Sequence, residues 1–283
     1  MMLRSLVLTS LAMLAFAGNS LLCRLALKHT AIDAASFTTV RLVSGALVLW
    51  LIVRLRGGGR VGDGNWPSAI ALFAYAGAFS FAYVSLPAAS GALLLFGAVQ
   101  ATMIGVGLWR GERLRALQIS GMLLALGGLI GLLLPGLAAP PLGSALLMIG
   151  AGVAWGIYSL RGKGAGDPIQ VTAGNFLRAA PIAAALSIAT LAAAAWDTVG
   201  LLYAVASGAL ASGIGYAIWY TALPALKATT AATVQLSVPV IAALGAILLL
   251  AEPLTWRLAF ASVAILGGIA LVILVPHHSR RLN

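Results

Sequence analysis

Long apolar stretches separated by short polar breaks run through almost the whole chain. A stretch of about 20 apolar residues is long enough for a helix to cross the hydrocarbon core of a bilayer. The breaks contain glycine, proline and charged residues, which end helices. The pattern predicts ten membrane-spanning helices, near residues 5–27, 34–54, 67–86, 88–109, 115–135, 142–160, 168–194, 198–222, 228–250 and 254–275.

The composition agrees with this pattern. Hydrophobic residues make up 61% of the chain and charged residues only 8%, whereas about a quarter of the residues in a soluble domain are charged. The sequence therefore predicts an all-α polytopic membrane protein without a separate soluble domain. The net charge of +11 does not indicate nucleic-acid binding, because the basic residues lie singly between apolar stretches.

The basic residues also predict the orientation of the chain. If both termini are cytoplasmic, twelve lysines and arginines fall in cytoplasmic segments and three on the opposite side, as the positive-inside rule requires. The residues around Ala15 imitate a signal-peptide cleavage site, but the apolar stretch continues to Leu27, which favours a first membrane helix. We expect both termini to lie in the cytoplasm.

The second half of the chain repeats the first. The segment around Tyr83 recurs around Tyr220, and both copies contain a Leu-Pro-Ala connection. The segment around Glu112 recurs, at a slightly larger offset, around Glu252, and a Gly-Gly pair follows in both copies. Matches of proline, glutamate and paired glycines are informative in a leucine-rich sequence. The chain therefore consists of two copies of one unit.

The two copies correspond to residues 1–137 and 138–283, and each contains five predicted helices. Because five is odd, the second copy enters the membrane from the opposite side, so the repeats are inverted. Inverted repeats can exchange conformations and open a site near the midplane to either side in turn. This arrangement predicts a transporter, and because the two copies complete it, we expect a monomer.

Residues that occur in order between about 5 and 275 resemble a known family: Arg41, Leu86-Pro87-Ala88, Trp155-Gly156, Arg178, Leu223-Pro224-Ala225, Pro239 with Glu252, and Gly267-Gly268. Their order is similar to that of the drug/metabolite transporter superfamily, specifically its ten-helix EamA-type exporters, which include bacterial amino-acid exporters. The chain departs from the family at Ala17-Gly18-Asn19, where Trp-Gly is frequent, and its fourth helix lacks the proline that Pro239 supplies to the ninth.

The resemblance implies a multi-pass protein of the bacterial inner membrane with a central cavity. The first, third, fourth, sixth, eighth and ninth helices would line the cavity, and the fifth and tenth would pack at its sides. The spacing of Gly127 and Gly131 in the fifth helix favours close helix packing.

Two groups of side chains are candidates for contact with a small-molecule substrate. Amides inside the bilayer need partners, and an amide can bind both the amino and the carboxyl group of an amino acid. Aromatic side chains facing a cavity supply apolar walls and cation–π contacts. The candidates are Asn19, Gln100 and Gln235, and Tyr83, Trp155, Tyr158, Trp219 and Tyr220.

Each group has a structural alternative. The amides can form interhelical hydrogen bonds without a ligand, and tyrosines or tryptophans near helix ends can form the interfacial belt of a membrane protein. The belt is the preferred interpretation for the tryptophans nearest to predicted helix ends, which are Trp66, Trp109, Trp196 and Trp256.

Five further residues are predicted to have structural roles. Arg41 and Arg178 lie inside spans, where snorkelling or pairing with helix-end carbonyls is expected; attraction of a substrate carboxylate is the alternative. Glu112 and Glu252 lie at helix ends and are expected to lock loops or to pair with a nearby arginine rather than to carry protons. Pro239 removes a backbone hydrogen bond from the ninth helix and is expected to form a hinge.

The predicted function is export of amino acids or similar small metabolites by alternating access. All six acidic residues map to loops or helix ends, which weakens proton antiport and keeps export without proton coupling open. The alternatives are a multidrug or other metabolite carrier and, from another class, a membrane scaffold or sensor. No enzyme motif is present, so we expect no enzyme and no cofactor. Cys23 is the lone cysteine and the histidines are not clustered, so we expect no metal.

Overall fold

The computed structural model of the protein describes residues 2–57, 63–109, 111, 114–136, 139–162, 166–222 and 234–274. Within these ranges all regular structure is helical, which confirms the all-α class and the ten helices. The helices are α1 (Met2–His29), α2 (Ala34–Leu55), α3 (Trp66–Tyr83), α4 (Ala88–Trp109), α5 (Ala116–Leu133), α6 (Leu142–Gly162), α7 (Pro168–Ala189), α8 (Thr198–Ala222), α9 (Ser237–Leu250) and α10 (Trp256–Leu274).

Eight of these helices are long and apolar enough to cross a membrane in the described part of the chain. The other two are α9, which is shorter as described, and α3. Helix α3 carries several polar side chains, and most of its residues are buried by the other helices. Its polarity therefore suits an interior position in the bundle.

The two halves pack as an inverted pair. Helices α2 and α7 face each other, as do α4 and α9, and α5 and α10, while α1 packs against α8 and α3 against α6. If each helix is replaced by its counterpart in the other unit, the same five pairs result. Helices α2 and α7 are antiparallel, as are α5 and α10, because earlier residues of one helix contact later residues of the other. The inverted five-plus-five arrangement is thereby confirmed.

The glycines of α5 that contact α10 are different from those the spacing suggested. A side chain at Gly121 or Gly128 would collide with α10, and Gly268 of α10 approaches the backbone of Gly121. Gly127 and Gly131 have no neighbouring atoms on their open side. The expectation for these two residues is wrong, because a four-residue spacing marks a helix face but does not show which face is covered.

Helix α8 contains a π-helical segment, Ala206–Ile214. A π-helix forms hydrogen bonds between residues five apart and often occurs at functional sites. Gly208 lies in this segment directly against α2, and a Cβ there would collide with the backbone carbonyl of Arg41. The absence of a side chain at Gly208 therefore permits the close approach of α8 to α2.

The start of α9 bears on the predicted hinge. Helical hydrogen bonding is interrupted at Leu236, and α9 resumes at Ser237. Pro239 is buried in the first turn of α9, where a missing N–H costs no helical hydrogen bond. The interruption fits the tendency of proline to break the preceding turn, and the hinge role stays a prediction. Glu112 and the 223–233 segment lie outside the described residues.

The α1–α2 connection is joined to the α7–α8 connection by Asp33. Its carboxylate caps α2 by accepting hydrogen bonds from the Ala35 and Ser36 amides at 3.0 and 2.9 Å, and it accepts another from the Ala195 amide at 3.0 Å. Partial burial raises the pKa of Asp33, but the hydrogen bonds from Ser36, Ala195 and Ala35 outweigh this and lower it below its ordinary value.

Candidate functional site

A small cavity lies where the two halves meet. Its walls come from α1, α3 and α4 of the first unit and from α6 and α8 of the second. The space that the centre of a water molecule can reach is about 20 Å³, which is enough for roughly one water. The lining residues are Phe16, Asn19, Ser20, Tyr75, Phe79, Leu95, Phe96, Trp155, Ala211 and Tyr216.

The aromatic wall begins on α3. Tyr75, Phe79 and Tyr83 are four residues apart, so they lie on one face of the helix. Their rings are in contact, with centroids 5.4 Å apart for Tyr75 and Phe79 and 4.7 Å apart for Phe79 and Tyr83. Tyr75 and Phe79 line the cavity, whereas Tyr83 lies one turn further along. This spacing makes α3 the main source of the wall.

The second unit completes the aromatic wall. The Trp155 ring on α6 lies 4.8 Å from Tyr75 and 5.0 Å from Tyr216 on α8, and Phe16 on α1 packs edge-on against Tyr216 at 5.8 Å. Phe79 and Tyr216 are separated in the sequence by the same number of residues as Tyr83 and Tyr220, which is the offset between the two repeats. They therefore occupy equivalent positions in the two units. The cavity therefore lies close to the axis that relates the two halves.

One amide faces this aromatic wall. The Asn19 side-chain nitrogen donates to the Tyr75 hydroxyl at 3.2 Å, and its oxygen accepts from the Ser207 hydroxyl at 2.6 Å. Asn19 therefore links α1 to α3 and to the π-helical part of α8. Both the interhelical hydrogen bond and the cavity position predicted as alternatives for this amide are present in the structure.

Arg41 lies directly behind the cavity wall. Its guanidinium donates to the Tyr75 hydroxyl at 3.1 Å and to the Ser212 hydroxyl at 3.3 Å. It also lies over the Tyr75 and Phe79 rings, 5.2 and 4.9 Å from their centroids. The side chain is 1% exposed. The expected snorkelling of Arg41 to a helix end is wrong, because its partners are interior side chains.

The repeat-related arginine behaves differently. Arg178 is half-buried and donates to the Gly174 carbonyl of its own helix at 2.9 Å. The acceptor lies inside α7, so this contact is not the expected pairing with a helix-end carbonyl. Two arginines at equivalent positions therefore have unequal environments in this conformation.

A buried ion pair closes one end of the bundle. Arg24 near the end of α1 donates to Glu252, just after α9, at 3.0 Å, and the two side chains are 8% and 6% exposed. Arg24 also donates to the Tyr83 and Val84 carbonyls, and the second Glu252 oxygen accepts from the Ala88 amide at 2.7 Å. We call these five residues the Arg24 clasp. Glu252 thus joins α1, α9 and the α3–α4 connection.

The remaining predicted site residues lie at different distances from the cavity. Asn19 and Trp155 line it. Tyr158 and Trp219 are buried behind it, where their rings contact Trp155 at 5.4 Å and Phe16 at 6.0 Å. Gln100 is buried in α4, and Tyr220 and Gln235 are half-buried, without lining the cavity. The four tryptophans assigned to the interfacial belt are all exposed.

Sequence reasoning missed four aromatic residues of the wall: Phe16, Tyr75, Phe79 and Tyr216. A signal for three of them was available. Tyr75 and Phe79 precede Tyr83 at helical spacing, and Tyr216 corresponds to Phe79 just as Tyr220 corresponds to Tyr83. Phe16 has no comparable signal, because its partner rings come from distant helices.

A second cavity, of about 350 Å³ by the same measure, lies between α4, α5, α6 and α10. Its lining contains a single polar side chain, Thr102, whose hydroxyl is already bonded to the Ala98 carbonyl. Specific ligand sites usually bring together several polar groups. The smaller central cavity, with its hydroxyl, amide and aromatic groups, is therefore the better candidate site.

Comparisons with known proteins agree with this architecture. The model of the EamA-like transporter family matches residues 142–274. Uncharacterized protein PA1977 of Pseudomonas aeruginosa is 61% identical over 271 residues, which cover 95% of this chain and 94% of that protein. A chain of known crystal structure, 22% identical, has the same fold with a TM-score of 0.68 over 95% of this chain and 97% of its own. The protein described here, a multi-pass membrane protein of the drug/metabolite transporter superfamily, belongs to the EamA-like transporter family.

Proposed function

We propose that this chain exports amino acids or similar small metabolites by alternating access through the central cavity. The observation that carries the proposal is the position of the cavity. It lies between two inverted units and takes lining residues from both. A site at such a junction is exposed to either side of the membrane when the units exchange conformations.

The small size of the cavity supports a mechanism in which the protein changes conformation during transport. A space for roughly one water cannot hold an amino acid. A substrate therefore binds only when the two units have separated at one end of the bundle. In the described residues the Arg24 clasp bridges α1 and α9 at one end, so opening at that end requires the clasp to break.

The cavity lining also bears on energy coupling. None of the lining residues is acidic, and a carboxylate inside the membrane is the usual proton carrier of proton-driven transporters. We therefore propose that solute leaves down its own concentration gradient. The orientation that accompanies this proposal places both termini in the cytoplasm and the clasp at the outer face.

The test is solute flux in proteoliposomes that contain the purified protein. Labelled amino acids are loaded and their efflux is followed with and without a pH gradient. We expect protein-dependent efflux of some members of the panel at a rate that the pH gradient does not change. Dependence on the gradient would contradict uncoupled export, and absence of flux for every solute would favour a scaffold or sensor.

Matched tryptophan variants locate the site. Trp155→Leu removes a ring from the cavity wall, and we expect it to reduce efflux at least tenfold. Trp256→Leu changes a tryptophan that is 80% exposed, and we expect transport to stay within twofold of the unmodified protein. Equal losses in the two variants would show that the central cavity is not the transport site.

A further inference from the structure

The guanidinium of Arg41 is a buried charge whose partners are all neutral. Its hydrogen-bond acceptors are two hydroxyl groups, and its other close neighbours are the rings of Tyr75 and Phe79. Within the described ranges, no carboxylate lies within 4.0 Å of it, because the ion pair found there is the one between Arg24 and Glu252. An arginine keeps its charge in a protein interior. Among the described residues, the charge of Arg41 is thus uncompensated.

One nitrogen of this guanidinium also lacks a hydrogen-bond partner. Arg41 Nη1 is fully buried and makes no hydrogen bond, whereas Nε and Nη2 are bonded to Ser212 and Tyr75. Buried donors in native proteins normally have partners, and an exception calls for an explanation such as a functional role or a bound water or ion. With respect to the described residues, Arg41 therefore has both an unpaired donor and an unpaired positive charge beside the cavity.

The contacts of Arg41 connect it to the cavity wall. The Tyr75 hydroxyl accepts hydrogen bonds from both Arg41 and Asn19, and Tyr75 and Asn19 both line the cavity. Ser212 follows Ala211, another lining residue. The guanidinium is therefore bonded to one residue of the cavity lining and to the chain neighbour of another.

The chain shows how it compensates a buried arginine elsewhere. Arg24 is similarly buried, and a glutamate 228 residues away in the sequence pairs with it. Among the described residues no such acid meets Arg41, although the cost of an unpaired charge is high inside a membrane protein. Planar guanidinium groups bind carboxylates through two parallel hydrogen bonds. A carboxylate on the substrate would supply the missing partner.

We infer that Arg41 is the carboxylate-binding group of the transport site, so that the transported solutes carry a carboxylate and the corresponding amines are excluded. Tyr75 and Asn19 hold the arginine in place and form the remaining polar edge of the site. This inference rests on the proposed function and specifies its substrate class.

The experiment uses the full chain in proteoliposomes and pairs of compounds that differ only in the carboxylate. The pairs are phenylalanine and phenethylamine, tryptophan and tryptamine, leucine and isoamylamine, and lysine and cadaverine. Efflux of each labelled acid is measured against unlabelled competitors on the same side. We expect the amine of each transported acid to need at least a tenfold higher concentration than the acid for half-inhibition.

Variants then assign this preference to one residue. We expect Arg41→Gln to reduce the preference for the acid to less than twofold and Arg41→Lys, which keeps the charge, to retain part of it. Arg178→Gln alters the repeat-related arginine, which bonds to a carbonyl of its own helix, and we expect the full preference to remain. If Arg41→Gln does not fold, the reduced preference of Arg41→Lys carries the assignment to this residue, and ligand-induced thermal stabilisation of the unmodified protein in detergent, by the acid and not by the amine, reports the preference itself.

The outcomes separate this inference from the proposed function. Amines that compete as well as acids, or that are the only solutes carried, would overturn the carboxylate site and leave the transporter intact. An unchanged acid preference in a folded Arg41→Gln variant would do the same. Absence of protein-dependent flux for all compounds would overturn both.

Discussion

The two ends of the helix bundle are held together in different ways, although the sequence repeats. Arg24 and Arg161 are separated by the repeat offset and lie near the ends of equivalent helices, α1 and α6. Arg24 is buried and paired with a carboxylate. Arg161 is exposed, and its hydrogen bonds within the described part of the chain go to the neutral side chains of Ser68 and Asn65, at 3.2 and 3.3 Å.

This difference shows how one conformation breaks the symmetry of two similar units. The same residue type at the same position is a buried charge at one end and an exposed hydrogen-bond donor at the other. A buried pair loses much of its stabilisation when one partner is removed, whereas an exposed polar contact contributes little. We therefore expect the Arg24 end to be the more firmly closed end.

The largest effect is expected at the clasp. Glu252→Leu leaves the Arg24 guanidinium buried without its anion, and we expect a loss of about 3–5 kcal/mol in the free energy of unfolding. The double variant Arg24→Met/Glu252→Leu removes both charges and should recover much of this loss. Unfolding titrations in mixed detergent measure both values. A single variant that loses less than about 1 kcal/mol would show that the clasp does not hold this end.

The next effect is expected where α8 meets α2. Gly208→Ala places a methyl group against the Arg41 carbonyl, which cannot rotate away, and we expect a loss of about 1–3 kcal/mol from overpacking. The equivalent position of the first unit is Ala71. Ala71→Gly should cost about 1 kcal/mol through helix propensity, with a further contribution from the loss of a buried methyl group. Equal stability of Gly208→Ala and the unmodified protein would contradict the close approach.

A smaller, pH-dependent effect is expected at Asp33. Asp33→Ala removes the cap of α2 and the bond to Ala195, and we expect a loss of about 1 kcal/mol at neutral pH. Because folding lowers the pKa of Asp33, its contribution is present above the unfolded-state pKa of about 3.9 and is lost as the pH falls through the folded-state value.

The control for this prediction is Asp33→Asn. Asparagine caps a helix about as well as aspartate but does not titrate. The stability difference between the unmodified protein and Asp33→Ala should therefore shrink at acid pH, whereas the contribution of the asparagine should not change. A difference that grew as the pH fell would show that the lowered pKa is not coupled to folding.

The smallest effect is expected at Arg161. Arg161→Gln removes two hydrogen bonds from an exposed side chain, and we expect the free energy of unfolding to change by less than about 0.5 kcal/mol. Measured beside Arg24→Gln, this variant compares equivalent positions in the two units. Similar losses in the free energy of unfolding of both variants would contradict the expected difference between the two ends.

Much of the fold could be predicted because it depends on local pattern. The lengths of the apolar stretches determine how many helices can span a bilayer. The matches around Tyr83 and Tyr220 indicated a duplicated unit with an odd number of helices. The site was less predictable. Trp155 and Asn19 were recognised as polar or aromatic residues inside spans, but Gln100 satisfies the same criterion and lies away from the cavity.

The environments of the arginines show why the rest could not be predicted. Arg41 and Arg178 have equivalent positions, and sequence alone assigned both to the same structural role. The structure places one among Tyr75, Phe79 and Ser212 and the other beside Gly174 of its own helix. Their difference arises from contacts with other helices, and those contacts depend on the conformation adopted by the two units.

The sequence by itself determined that the chain lies in a lipid bilayer, how many helices it forms and that the two halves are an inverted duplication. The lengths of the apolar stretches and the offset between the repeats are properties of the chain alone. Only the tertiary structure decided that Arg24 meets Glu252, that Arg41 has no acidic partner among the described residues, and that Tyr75 joins Arg41 to Asn19. These contacts bring together residues from distant segments, and helix packing, not sequence spacing, sets which of them touch.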